Sequence, residues 1–103
     1  MKIGDIIRVT TWKNGSKQNP NSAYGVRVRK ADFEKMKNWN EIQIPKFGSI
    51  TRDNRAFTPK CPEIRHYLIG QFLKKNNLSD WPERKTYSIN LKYLGNSKFE
   101  LSK

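Results

Sequence analysis

Apolar and charged side chains alternate one for one along Tyr24-Gly-Val-Arg-Val-Arg-Lys30. An extended strand with one dry face and one wet face satisfies that period, which puts Val26 and Val28 inward and Arg27 and Arg29 outward. The same period returns in Ile3 to Thr11, where Ile7 and Val9 oppose Arg8 and Thr10, and in Glu41-Ile-Gln-Ile44, stopped by Pro45. Gly48 to Phe57 reads as a strand or ribbon around the turn-prone Arg52-Asp-Asn-Arg55. Thr86 to Leu94 and Ser97 to Leu101 read as a hairpin through Gly95-Asn96. Tyr87, Ile89, Leu91 and Tyr93 would share one face of it, as would Phe99 and Leu101 on the return strand.

Two helices interrupt this pattern. Ala31 to Lys37 is a short one, with Asp32 and Glu34 in its first turn. The second starts at Pro62 and carries Ile64, Leu68, Ile69, Phe72 and Leu73 as one apolar stripe, ending at Asn76-Asn77. Ser79 to Lys85 is a loop holding Trp81-Pro82, and Trp39 and Trp81 are expected to pack in the core or at its rim. At 103 residues the chain has room for one core, so residues 1–103 are expected to form a single domain. The fold class is α+β: a small open β-barrel, or pseudobarrel, of six to seven strands with two short helices.

Charge narrows the choice of partners. There are 21 Lys and Arg against 9 Asp and Glu, a formal net charge of +12. Arg8, Lys13, Lys17, Arg27, Arg29 and Lys30 fall in a stretch with no acid between Asp5 and Asp32, and the polar segment Asn14 to Ser22 lies in its middle. Such a balance says who the partners are rather than what the fold is, and nucleic acid leads. An anionic membrane does not fit, because the one strong helix pattern is needed for the core, and no apolar run is long enough to span. With no signal peptide and a lone Cys61, a soluble protein of the reducing cytoplasm is expected.

Catalysis is hard to build from these residues, and the chain is read as a non-enzyme without metal or cofactor. Any Cys–His pair must be Cys61 and His66, five residues apart with nothing to orient them. His66 is expected at a surface or boundary and Cys61 as a small buried residue or a helix cap. The acids are scattered and form no two-metal cluster, and the glycines form no phosphate-binding loop.

Binding residues are easier to nominate. Arg8, Lys13, Lys17, Lys46 and Lys60 are placed on phosphates; Asn19, Asn21, Arg27, Arg29, Arg52, Asn54 and Arg55 on base edges. Trp12 would stack on a base or pack on a sugar. Two cationic arms on one barrel would grip the major groove of a duplex like a wrench. Two alternatives stay open: a single-stranded or structured RNA binder using Trp12 and Tyr24 as stacking platforms, and a basic inhibitor or interaction module gripping an acidic protein.

Trp12, the approach Asn19-Pro-Asn-Ser-Ala-Tyr24 to an alternating strand and the short helix after it come in a suggestive order. Thr58-Pro59 before Leu68-Ile-Gly-Gln-Phe72, and a closing pair ending in Phe99-Glu-Leu-Ser102, continue it. In that order the chain resembles, over about residues 3–102, the B-three DNA-binding pseudobarrel domain. That domain occurs in plant transcription factors and, in related form, as the specificity domain of some type II restriction endonucleases. The resemblance implies sequence-specific recognition of double-stranded DNA by two arms in the major groove, here residues 10–24 and 49–57. It points to restriction or a related defence system, with a nuclease or other partner protein supplying any chemistry.

Overall fold

The computed structural model describes residues 1–13, 24–52, 57–78 and 87–103, with Trp12 and Lys13 described by their backbone. Seven strands form one sheet: β1 (Ile6–Lys13), β2 (Tyr24–Val28), β3 (Glu41–Ile44), β4 (Gly48–Thr51), β5 (Glu63–Arg65), β6 (Ser88–Gly95) and β7 (Lys98–Ser102). Two helices accompany them, α1 (Phe33–Met36), entered through a 3₁₀ turn over Lys30–Asp32, and α2 (Tyr67–Lys75). The spatial order is β4-β3-β7-β6-β1-β2-β5, antiparallel throughout except for the parallel pair β3–β7. The fold class expected from sequence holds: this is an α+β half-barrel with two short helices.

The sheet curls because its apolar face is continuous. Ile7, Val9, Val26, Val28, Ile42, Ile44, Ile50, Ile64, Ile89, Leu91, Phe99 and Leu101 are all buried on its inner side. Helix α2 adds Leu68, Ile69, Phe72 and Leu73 to the same cluster. This nine-residue helix packs against β2 near one edge of the sheet and also against β3 and β4 at the other. Only a curled sheet lets one short helix touch both. At the far mouth Met36 is fully buried, and Phe57 stacks on Phe33 with centroids 5.2 Å apart while Trp39 meets its edge. Trp39 is therefore a core residue, as expected.

The second helix begins five residues later than the sequence suggests. Pro62 precedes strand β5, not a helix, and Ile64 pairs with Val26 across the β2–β5 ladder. Ile64 sits four residues before Leu68 and so mimics helical spacing, but its side chain reaches the core from a strand. His66 caps the true N-terminus, its Nδ1 accepting from the Leu68 N–H at 3.1 Å. At the other end Leu78 N donates to Leu73 O and Asn77 N to Lys74 O, with Asn77 at φ 58. This is the Schellman closure, and Asn is the side chain best suited after glycine to its left-handed position. Cys61, expected buried or capping, is exposed.

The β6–β7 hairpin forms one residue beyond the expected turn. Gly95, at φ 92, takes the irregular position where the register shifts, and Asn96 and Ser97 make the two-residue turn with φ 53 and 61. The opposite turn joins β3 to β4: Phe47 N donates to Ile44 O at 3.0 Å across Pro45 and Lys46. Proline followed by a residue at φ 73 is the signature of a type II turn.

Candidate nucleic-acid interface

The strand registers sort the outward side chains into two unlike halves. On β5, β2, β1 and β6 the outer rows run Glu63–Arg27–Thr10–Ser88 and, one step along, Arg8–Asn90–Ser102 at the β7 junction. On β7, β3 and β4 they run Glu100–Gln43–Ser49 and Lys98–Glu41–Thr51. Lys92 on β6 stands opposite Glu100 and Lys98 opposite Glu41, so cations concentrate on the β1–β2–β5 half while the other half is near neutral.

Two acids in the cationic half lie beneath arginines. Glu63 accepts from Arg27 Nε at 2.9 Å and from Nη2 of the same guanidinium. The Glu63 side chain is 9% exposed and that of Arg27 54%. Asp32 accepts from Arg29 Nε at 3.0 Å and Nη2 at 2.9 Å, with Lys35 Nζ at 3.5 Å; its side chain is 8% exposed against 66% for Arg29. The carboxylates are nearly hidden and the guanidiniums face solvent. Each arginine is thereby held in one orientation, with N–H groups left over to point outward.

Arg27 and Arg29 also line a cleft of about 340 Å³ on the outer side of β2. Thr10 forms one wall; the segment carrying Lys60, Cys61 and Pro62 forms the other, pinned by Val28 N donating to Pro62 O at 2.9 Å. Lys30 stands in the same lining. Arg8 projects from the same outward face, two residues along β1 from Thr10. Arg8, Lys30 and Lys60 form no ion pair among the described residues.

Four nominated residues thus come together: Arg8, Arg27, Arg29 and Lys60. Lys30 lines the cleft beside them, and the Arg29-Lys30 doublet at the strand exit is its signal in the sequence. Lys60 reaches this site only because the preceding-strand role of Pro62 brings its segment against β2. Lys46 stands elsewhere, at the β3–β4 turn in a shallow depression shared with Glu41 and Glu100.

Arg52 points into the fold. Its Nη1 donates to the Lys37 and Trp39 carbonyls at the end of α1, and its guanidinium lies 5.6 Å from the Trp39 ring centre and 5.7 Å from that of Phe57. It closes a helix end and stacks on two rings. Lys17, Asn19, Asn21, Asn54 and Arg55 lie outside the described residues, as do the turn at Asn14-Gly15 and the loop at Trp81-Pro82; Trp12 and Lys13 are fixed by backbone alone, opposite Gly25 and Tyr24.

The bases of the two expected arms can still be placed. Strand β1 runs antiparallel to β6, so the 14–23 connection leaves the sheet beside the start of β6. Strand β4 delivers Thr51 and Arg52 beside Asn40, which bonds the Ser97 carbonyl at the turn end of β6. The two connections leave opposite ends of the strands.

The Cys61–His66 pair is not assembled, since His66 Nδ1 is bound to the helix and Cys61 lines the cleft. No described helix is long and apolar enough to cross a membrane. No protein-family model, curated protein or solved structure matches the chain.

Proposed function

We propose that the chain binds double-stranded DNA through the outer β1–β2–β5 face, reading sequence in the major groove as a B-three-type pseudobarrel in restriction or a related defence system. The observation carrying this is that Arg8, Arg27, Arg29, Lys30 and Lys60 share one outward face whose acids lie hidden under the arginines. A face so arranged attracts phosphates over its whole breadth and holds planar donors at fixed angles, which base edges require.

The half-barrel with two short helices supports the resemblance in element order. Arms leaving opposite strand ends suit a duplex lying along the strands, with one arm toward either end. In this reading Lys13, Lys17 and Arg8 sit on phosphates, while Asn19, Asn21, Asn54 and Arg55 meet bases from the arms. A nuclease or another protein would supply any strand cleavage.

Selection from a random duplex library at about 150 mM salt, with a single-stranded pool in parallel, tests the reading. A short consistent duplex motif is expected. Enrichment confined to single strands would favour RNA or single-stranded DNA stacked on aromatics, for which exposed Tyr67 at the start of α2 is a candidate platform. No enrichment in either pool, with capture of an acidic protein, would replace it by a protein-interaction role.

A further inference from the structure

We propose that the cleft outside β2 is a seat for one phosphate group of the nucleic acid, closed by Lys30 and Lys60 over a floor set by Arg27 and Arg29. The inference deepens the duplex-binding reading and rests on it. It also changes the role of the arginine pair, from base edges alone to a shared anion site, and gives Lys30 a function.

Four cations and one carboxylate line a space of about 340 Å³. That is at the small end of ligand sites, too small for a protein segment to enter and ample for a phosphate with part of its sugar. The one carboxylate of the lining, Glu63, has its Oε1 committed to Arg27 and so orients a donor. Much of the backbone around the cleft is already committed. Val28 N–H is bound to Pro62 O, Cys61 N–H to Thr58, Glu63 N–H to Cys61 O, and Pro62 has none. An anion in the cleft would be met chiefly by side chains, and four cations in one lining suit a group with several charged oxygens better than a two-oxygen carboxylate.

The position also fits a duplex. Arg29 and the first residue of β2, Tyr24, are five residues apart, about 17 Å along a strand. A phosphate seated at the cleft would leave the start of the 14–23 connection somewhat more than one groove width away, since the major groove is about 12 Å wide between its lips. One end of β2 would hold a backbone while the other feeds an arm into the groove.

Cys61 lines the seat and is the chain's single cysteine, so its alkylation by iodoacetamide reports occupancy directly. Saturating duplex should slow alkylation, by about tenfold when duplex stands at ten times its dissociation constant. Inorganic phosphate should slow it relative to chloride at equal ionic strength. Salt titrations of duplex affinity supply the second arm. If Lys30 and Lys60 share one phosphate, the double variant Lys30→Ala/Lys60→Ala should lower the salt slope by no more than about one unit, with each single variant losing less, whereas two separate phosphate contacts would cost about one unit each and two together. Circular dichroism of the three variants confirms that each is folded.

A duplex carrying a 5′-phosphate that binds more tightly than its 5′-hydroxyl twin assigns the seat to a strand end; equal affinity assigns it to an internal diester. Tight duplex binding with Cys61 alkylated at its free rate, and slopes that fall additively, would overturn the seat and leave duplex binding standing. Protection by inorganic phosphate without any duplex binding would keep the seat and remove the duplex reading. Neither binding nor protection would remove both.

Discussion

Arg27 and Glu63 stand opposite each other in the β2–β5 register, and the arginine closes on a single carboxylate oxygen through both Nε and Nη2. The pair joins the last strand of the sheet to its neighbour and fixes the guanidinium that faces the cleft. It therefore couples the integrity of an edge strand to the aim of a solvent-facing guanidinium.

Glu63→Gln separates those two effects. The variant keeps a neutral acceptor but releases Arg27 and adds one unit of positive charge to the face. Stability should fall by about 1 kcal/mol, discounted because Arg27 is half exposed to screening solvent. Affinity for random duplex should rise while the margin between the preferred site and random DNA shrinks, as fluorescence anisotropy on both would show. A larger margin would mean that Glu63 does not orient the arginine.

Asp32→Asn should be the costlier charge change. Asp32 is buried and receives Arg29 and Lys35 together, whereas Asn offers one neutral oxygen. A loss of about 1–2 kcal/mol is expected in urea denaturation, with unchanged m-value. A wild-type midpoint would show that the triad is a surface ornament.

Lys46→Gly should stabilise the protein. Lys46 holds φ 73 in the β3–β4 turn, a conformation that glycine adopts without the Cβ clash. A gain of about 0.5–1 kcal/mol is expected. Lys46 neighbours Glu41 and Glu100 and stands outside the cationic half, so duplex affinity should change less than about twofold, well below one phosphate contact. A clear fall in affinity across all duplexes would put Lys46 on the backbone.

Gly25→Ala should break the edge. A Cβ at Gly25 would lie 2.4 Å from the Ile64 carbonyl oxygen and 3.1 Å from the Arg65 Cα, both backbone atoms that cannot move aside alone. Strand β5 would have to leave β2, with a loss above about 2 kcal/mol and faster hydrogen exchange at Val26 and Ile64. An unperturbed exchange pattern would show that the two strands are not held so closely.

What the sequence made legible was whatever local chemistry controls. The bounds of β3 are legible because its alternation ends at a proline, and β2 is legible because Val26 and Val28 alternate with Arg27 and Arg29. The end of α2 was readable from its two asparagines. Strand β5 was not, because three residues are too few to display a period, and Pro62 with Ile64 four residues before Leu68 imitates a helix start. The cleft inherited that error, since Lys60 and Glu63 reach β2 only through long-range pairing. Arg52 looked like a turn-tip reader because nothing in the string Arg52-Asp-Asn-Arg55 reveals that the Trp39 and Phe57 rings lie beside it.

The strand order carries a consequence for how the protein is made. Strands β6 and β7 lie in the middle of the sheet, between β1 and β3, although they are the last of the seven strands to leave the ribosome. Until residues 88–102 emerge, β1–β2–β5 and β3–β4 have no strand between them and α2 alone reaches both, so much of their apolar surface stays open to water. The pairing of Val9 with Ile89 closes a loop of nearly the whole chain, and such distant contacts fold slowly. The outer face of β1, β2 and β5 is thus complete in charge before the sheet behind it is closed, and if that face binds nucleic acid as proposed, a cell making this protein faces a window in which adhesion to ribosomal RNA competes with folding.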